Sequence, residues 1–160
     1  MTDKILIVIP SLEPDEKLVE LTGELKREGF SHILIVNDGS GPAYDDIFAR
    51  AVAEGDCRLL THSVNQGKGR AMKTAFNEFL LHPDGCEGVV TVDSDGQHRP
   101  ADIRKCCEAL LAHPDSLILG SRNFDEKGVP LKSSFGNKLT RKIFGFLSGI
   151  HIRDTQTGLR

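Results

Sequence analysis

The sequence predicts an α/β fold built on a mostly parallel sheet that is flanked by helices. Short apolar runs alternate along the chain with segments of helical periodicity, which is the pattern of strands joined by crossover helices. The runs are hydrophobic throughout, as expected for strands buried on both faces of a parallel sheet. At 160 residues the chain has the length of one ordinary domain, so we predict a single domain over residues 1–160.

Composition marks the first strand, the first helix and the second strand. Ile5–Ile9 is a continuous β-branched run. Leucines at helical spacing predict a helix over Asp15–Glu28, and Gly29 is a typical residue for its end. Ile33–Val36 is the second apolar run and therefore the second predicted strand.

The middle of the chain predicts two further helices around a weaker strand. The first of these helices carries its apolar residues on one face, namely Ile47, Phe48, Ala51 and Val52. A short third strand follows over Arg58–Leu60 and ends near His62. The segment Asn65–Ala71 then opens a helix with an apolar face that we expect to comprise Met72, Ala75, Phe76, Phe79 and Leu80.

The last predicted elements are a fourth strand, a helix, a fifth strand and a basic helix. The fourth strand covers Val89–Val92, and Pro100 lies at a favourable first position for the next helix. The apolar stripe of that helix is Ile103, Cys106, Cys107, Leu110 and Leu111. Leu117–Leu119 is the fifth predicted strand, and Phe135–Ile150 is an amphipathic helix with a basic face.

Composition also excludes several classes of protein. No apolar run approaches the ~18 residues that span a bilayer, and the N-terminus carries no cleavable signal pattern. We therefore expect a cytoplasmic location for this chain. The four cysteines show no Cys-x-x-Cys spacing, so we expect buried free thiols instead of a zinc or redox site.

The net charge of −3 is unevenly distributed. Residues 1–121 carry 12 Lys and Arg against 20 Asp and Glu, whereas residues 122–160 carry 8 against 3. A basic final quarter on an acidic body suits an anionic partner, including a membrane surface. A solvated basic helix face explains the same charges, and both interpretations stay open.

Two carboxylates separated by one residue follow the fourth strand. In an extended strand, residues i and i+2 point to the same side, so Asp93 and Asp95 can project together. Gly96 allows the backbone to turn sharply after them. Two hard carboxylates suit Mg²⁺ or Mn²⁺ shared with the phosphates of a substrate. A solvated Asp-Gly turn is the alternative explanation.

Polar or glycine-rich residues also follow the other strands. Ligands of open parallel sheets bind at the carboxyl edge of the strands, so we expect these side chains to share one crevice. Its predicted members are Asp38, Lys68, Asp93, Asp95 and Arg122. In Gln66–Arg70, backbone N–H groups and Lys68 are placed to face a phosphate. Neither a Walker motif nor a Gly-x-Gly-x-x-Gly after the first strand occurs, which argues against a P-loop protein and a dehydrogenase.

Seven short motifs occur along the chain in a characteristic order. They are Pro10, Asn37-Asp-Gly-Ser40, Asn65-x-Gly-Lys-Gly-x-Ala71, Asp93-x-Asp95-x-Gln97-His98, Gly120-Ser-Arg122, Gly136-Asn137 and Asp154-x-Gln-Thr-Gly158. Each is weak alone, but the set covers nearly the whole chain. In order and spacing the motifs resemble those of family 2 glycosyltransferases, most closely the dolichol-phosphate mannosyltransferase-like and polyprenyl-phosphate glycosyltransferases. The resemblance implies the GT-A fold, a Rossmann-like, mostly parallel sheet flanked by helices.

The resemblance also implies a reaction and its residues. The reaction would be an inverting, metal-dependent transfer of a sugar from a nucleotide-diphospho-sugar to a polyprenyl or dolichyl phosphate or another acceptor, with no nucleic acid as partner. Donor binding would fall to Pro10, Glu13, Asp38, Gly39, Lys68, Asp93 and Ser94. Mg²⁺ or Mn²⁺ would be held by Asp93, Asp95 and Gln97. The acceptor phosphate would be bound by Arg122, Lys132 and Asn137, and the expected catalytic residues are Asp154 and Arg122.

The chain departs from the family's pattern at two places. After the first strand it reads Pro10-Ser-Leu-Glu13-Pro14, so Glu13 is the expected substitute for the usual acidic contact to the nucleoside. Ser133 and Ser134 stand where many relatives carry an arginine, which leaves Lys132 to neutralise the phosphate.

The end of the chain carries a further expectation. Relatives continue past the position of Arg160 with further helices and often membrane spans, so we expect a C-terminally truncated domain of a longer, membrane-associated protein. We expect residues 122–160 to supply any membrane-surface contact. The alternative function is a non-catalytic nucleotide-sugar-binding module of such a protein. A sugar-nucleotide pyrophosphorylase is disfavoured, because its glycine-rich signature does not follow the first strand.

Overall fold

The computed structural model describes residues 2–120 and 158–160, and its centre is a four-stranded parallel sheet. The strands are β1 (Ile5–Ser11), β2 (Ile33–Asn37), β3 (Arg58–Thr61) and β4 (Gly88–Thr91). The helices are α1 (Glu16–Arg27), α2 (Asp45–Gly55), α3 (Lys68–Leu81) and α4 (Pro100–Ala112). Single 3₁₀ turns cover Thr2–Lys4 and Pro42–Tyr44. One α-helix follows each strand, as the alternating pattern predicted.

The strands lie in the order β3-β2-β1-β4. Every residue of β1 and of β2 is buried, because these two strands have a neighbour on each side and helices on both faces. This double burial explains why their sequences are apolar throughout. Since all three strand pairs are parallel, the four strands end at the same edge of the sheet.

Two apolar layers cover the two faces of the sheet. Along β1, Ile5, Ile7 and Ile9 point into one layer, whereas Leu6 and Val8 point into the other. The first layer contains the predicted stripes of α1, α2 and α4, with Leu18, Leu21, Leu25, Phe48, Ala51, Ile103, Cys106 and Cys107 buried. The second layer is formed with α3. Over the parts of the chain that the structure describes, none of the helices has the length and apolarity that a membrane crossing requires.

All four cysteines are buried free thiols, as predicted. Burial raises the pKa of Cys57 and of Cys107 to about 12. Since the thiolate is the reactive form, these two thiols are inert near neutral pH while the chain is folded.

The predicted apolar face of α3 was wrong in part. Ala71 and Ala75 are fully buried and Phe79 packs beside them, whereas Phe76 is 37% exposed and Leu80 is 75% exposed. The small alanine side chains allow the helix to approach β1 and β2 closely. That orientation turns the larger residues on the adjoining face toward solvent, although the apolar periodicity included them.

The fifth strand predicted at Leu117–Leu119 is not formed. Instead, the N–H of Thr91 donates to the carbonyl of Arg160 at 2.6 Å, and the N–H of Arg160 donates back at 3.3 Å. The N–H of Gly120 donates to the carbonyl of Leu159 at 3.0 Å. The end of the chain therefore lies beside β4, and Leu117 remains 77% exposed. The predicted basic helix Phe135–Ile150 lies outside the described residues.

Candidate functional site

The carboxyl edge of the sheet surrounds a cavity of about 340 Å³. Its walls come from the end of β1 and from the segments that follow β2, β3 and β4. Six residues predicted from the sequence line it, namely Pro10, Asp38, Lys68, Asp93, Ser94 and Asp95. Gly67, from the segment Gln66–Arg70 that was predicted to face a phosphate, lines it as well, whereas Ser11, Leu12 and Asn65 were not predicted as site residues. The structure therefore brings four of the expected residues together at one cavity, namely Asp38, Lys68, Asp93 and Asp95.

Asp38 is a buried carboxylate, only 3% exposed. Its Oδ1 accepts a hydrogen bond from the N–H of Gln66 at 3.0 Å and lies 2.7 Å from Nδ1 of His62. Burial by itself raises the pKa of Asp38, but the hydrogen bonds from His62 and from the backbone of Gln66 and Gly67 together hold that pKa below its ordinary value. Asp38 is therefore ionised at neutral pH and offers the cavity a hydrogen-bond acceptor.

His62 connects this carboxylate to α3 and was missed as a site residue. Its Nδ1 contacts Asp38, and its Nε2 lies 2.9 Å from the hydroxyl of Thr74 on α3. The ring is thereby fixed at both nitrogens. Its position directly after the third strand was the available signal, because side chains at strand ends were expected to meet.

The turn after β2 is held between the loops that follow β1 and β3. Oδ1 of Asn37 accepts the N–H of Ser40 at 2.8 Å, and the hydroxyl of Ser40 accepts the N–H of Glu13 at 2.9 Å. Gly39 has φ +78°, and a methyl group on it would lie 2.1 Å from the carbonyl carbon of Val64. The side chain of Glu13 is exposed and does not line the cavity.

Helix α3 begins at the cavity. Gly67, which precedes it, has φ +88°, and its N–H donates to Oδ1 of Asn65 at 2.9 Å. A methyl group on Gly67 or Gly69 would meet nothing within 4 Å, so both glycines face open space. The first N–H groups of a helix and its dipole attract anions, and Lys68 adds a full positive charge there.

The two aspartates after β4 differ in their surroundings. Oδ1 of Asp93 accepts a hydrogen bond from Nζ of Lys68, and its side chain is 28% exposed. Asp95 is exposed, and its Oδ1 accepts the N–H of Gln97 at 3.0 Å. Gln97 is exposed too and does not line the cavity.

Asp93 and Asp95 fit a divalent cation that arrives with an anionic ligand. Within residues 2–120 and 158–160, no group of three or more His, Cys, Asp and Glu side chains is arranged to hold a metal. Mg²⁺ and Mn²⁺ do not need such a group, because they commonly use one or two carboxylates together with substrate phosphates and water. Two carboxylates on one cavity, one of them hydrogen-bonded to the first residue of α3, provide that donor set.

The predicted acceptor and catalytic residues lie outside the described residues. These are Arg122, Lys132, Asn137 and Asp154. The described residues therefore include only those that were expected to bind the donor and the metal.

Sequence comparison connects these features to known proteins. A family model described as glycosyl transferase family 2 matches residues 7–157. The chain is 33% identical to an uncharacterized protein of Methanocaldococcus jannaschii, over 99% of this chain and 64% of that protein. It is 28% identical to the UDP-N-acetylglucosamine–dolichyl-phosphate N-acetylglucosaminyltransferase of Methanococcus voltae, over 100% of this chain and 70% of the relative. It is 29% identical to the polyprenol monophosphomannose synthase of Mycolicibacterium smegmatis, over 99% and 61% respectively.

Comparison with solved structures shows the fold. Glucosyl-3-phosphoglycerate synthase from Mycobacterium tuberculosis, in complex with Mn²⁺, UDP-glucose and phosphoglyceric acid, superposes with a TM-score of 0.70 at 20% identity. The match covers 98% of this chain and 55% of the synthase. The predicted GT-A fold is thereby confirmed, and the chain spans little more than half of that enzyme.

Proposed function

The chain belongs to glycosyl transferase family 2, and on that premise we propose that it is the GT-A domain, over residues 1–160, of an inverting, metal-dependent glycosyltransferase. The donor is a nucleotide-diphospho-sugar, and the acceptor is a polyprenyl or dolichyl phosphate. The observation that carries this proposal is one cavity at the carboxyl edge of the sheet. It combines a buried ionised carboxylate, a lysine at a helix N-terminus and a pair of aspartates.

The donor's nucleoside is assigned to the part of the cavity around Asp38. This carboxylate is ionised and held in place by His62, so it can accept a hydrogen bond from a base N–H or a ribose hydroxyl. Pro10 lines the same cavity, and Gly39 allows the turn that presents Asp38. Glu13 takes no part in the proposal, because its side chain is exposed outside the cavity.

The diphosphate is assigned to the start of α3 and to the two aspartates. Lys68 and the first N–H groups of α3 supply positive charge where two glycines leave the backbone open. Asp93, which accepts a hydrogen bond from Lys68, and Asp95 would hold Mg²⁺ or Mn²⁺, with Ser94 between them in the cavity wall. A cation bound there would supply charge that stabilises the leaving nucleoside diphosphate. Gln97 takes no part in the proposal, because it does not line the cavity.

The acceptor is assigned by analogy with the named relatives. The relative from Methanococcus voltae acts, by its name, on dolichyl phosphate, and that from Mycolicibacterium smegmatis makes a polyprenol monophosphomannose. A phosphate acceptor is an anionic nucleophile at neutral pH, so the reaction needs no strong general base. Arg122, Lys132 and Asn137 are the proposed phosphate contacts, with Asp154 on the acceptor side. Because the acceptor is a lipid, we place the reaction at the cytoplasmic surface of a membrane, reached through residues 122–160.

A thermal-shift panel of UDP-, GDP- and dTDP-sugars, each with and without Mn²⁺, tests donor binding. A ligand at 100 times its dissociation constant stabilises a fold by about 2.7 kcal/mol, which for this chain length is a rise in Tm of roughly 5–10 °C. We expect one base to stand out, and only with Mn²⁺ present. No Mn²⁺-dependent shift with any of the three donors would contradict the proposed function.

A further inference from the structure

Gly158 lies directly against the carboxylate of Asp93. A methyl group placed on Gly158 would be 1.9 Å from Oδ2, 2.2 Å from Cγ and 2.4 Å from Oδ1 of Asp93. Real side-chain carbons do not approach other atoms so closely, so the carboxylate occupies the space that any side chain at position 158 would need.

Gly158 cannot retreat from Asp93, because it and the two residues that follow it are fixed to the core. The carbonyl of Gly158 accepts a hydrogen bond of 3.1 Å from the hydroxyl of Thr91, and this bond is buried. Two backbone hydrogen bonds join Thr91 to Arg160, and Leu159 is only 4% exposed within the apolar layer. Thr91 ends β4 two residues before Asp93, so one strand end holds both the aspartate and the segment that confines it.

The carboxylate of Asp93 is therefore confined by two groups. Lys68, at the start of α3, donates a hydrogen bond to Oδ1. The backbone of Gly158 lies against the same carboxylate. A carboxylate that is confined in this way has little freedom to rotate away from the cavity.

We propose that Gly158 is a positioning residue for Asp93, which it keeps oriented toward a divalent cation. This role rests on the proposed function, because it concerns the same metal site. Residues that orient a metal ligand without touching the metal typically change metal affinity by about 10- to 100-fold when they are replaced. The segment Gly158–Arg160 thus belongs to the donor site, although it comes 65 positions after Asp93 in the sequence.

The test compares Gly158→Ala with Gly120→Ala in the purified protein. A methyl group on Gly120 would press against the side chain of Leu159, 2.8 Å away, so this control disturbs the same segment without touching Asp93. Mn²⁺ affinity is measured by electron paramagnetic resonance, both without nucleotide and with UDP. We expect Gly158→Ala to weaken Mn²⁺ binding by about 10- to 100-fold and Gly120→Ala to leave it unchanged. Equal Mn²⁺ affinity in Gly158→Ala and the unaltered protein would overturn the proposal.

A second pair of variants serves if Gly158→Ala does not fold. Thr91→Val removes the hydrogen bond to Gly158 at nearly constant volume, whereas Thr91→Ser keeps the hydroxyl. We expect weaker Mn²⁺ binding in the valine variant and recovery in the serine variant. Equal binding in the two would overturn the proposal.

The carboxyl carbon chemical shift of Asp93, measured by NMR without metal, separates this inference from the proposed function. A shift that moves in Gly158→Ala but not in Gly120→Ala supports the positioning role, even if the unaltered protein fails to bind Mn²⁺ and the proposed function fails. An unmoved shift would overturn the positioning role, whatever the donor experiments find.

Discussion

At the scale of single residues, the neighbours of Asp38 decide what it can do. A carboxylate that is 3% exposed would ordinarily resist ionisation, because burial disfavours charge. Hydrogen bonds from the His62 ring and from two backbone N–H groups reverse that tendency. The negative charge of Asp38 therefore depends on its neighbours. His62 contributes to that charge although it does not line the cavity.

Changing His62 to leucine should expose this dependence. His62→Leu leaves Asp38 buried with fewer donors, and we expect a loss of about 1–3 kcal/mol in the free energy of unfolding at neutral pH. Nucleotide binding should weaken as well. His62→Asn places an amide N–H near the position of Nδ1 and should recover most of both losses. Urea denaturation and calorimetric titration measure the two effects, and equal behaviour of the two variants would contradict the role given to His62.

The same variant has a signature in the pH dependence of stability. Because the pKa of Asp38 is lowered in the folded chain, its ionised form stabilises the fold above the ordinary value of 3.8. That contribution disappears as the pH falls through the lowered folded-state pKa. The unaltered chain should therefore lose more stability than His62→Leu between about pH 5 and pH 2. Parallel stability profiles would mean that His62 does not lower the pKa of Asp38.

At the scale of elements, the site depends on how the segments after the strands pack on one another. The turn after β2 touches the loop after β3 so closely that Gly39 has no room for a side chain. The turn is also bonded to the loop after β1 through Ser40 and Glu13. The three segments therefore form one packed unit at the carboxyl edge of the sheet, and each keeps the others in place.

Gly39→Ala tests this packing. Alanine at φ +78° costs about 1–2 kcal/mol for backbone strain alone, and the contact with the Val64 carbonyl adds to that cost. We expect a loss of at least about 2 kcal/mol in the free energy of unfolding. The matched control is Gly41→Ala, two positions later, where a methyl group meets nothing within 4 Å. Similar stabilities of the two variants, measured by urea denaturation, would show that the turn is not confined.

At the scale of the whole molecule, the local sequence predicted those strands whose residues are buried on both faces. The apolar runs of β1 and β2 indicate strands because both faces of these strands are covered. The parallel topology then places the residues that follow them at one edge of the sheet. The convergence of Asp38, Lys68, Asp93 and Asp95 followed from that rule alone. The exposed face of α3 was missed because apolar periodicity does not distinguish which of two adjoining faces meets the sheet.

Local sequence patterns could not predict the contacts between residues that are far apart in the chain. His62 and Asp38 are 24 positions apart, and Thr91 and Gly158 are 67 positions apart. No periodicity relates such pairs, since the fold alone makes them neighbours. The end of the chain beside β4 also explains why Leu117–Leu119 is not the strand that its apolar composition indicated.

The central claim is that separate strand ends together hold a sugar donor through a divalent cation. Calorimetric titration of the stabilising donor, with and without Mn²⁺, tests it most directly in the unaltered protein, in Asp95→Asn and in the control Asp46→Asn, whose side chain is 81% exposed on α2. We expect Mn²⁺-dependent binding in the unaltered protein and the control, and none in Asp95→Asn at unchanged thermal stability. Donor affinity in Asp95→Asn equal to that of the unaltered protein would contradict the metal site and the function built on it.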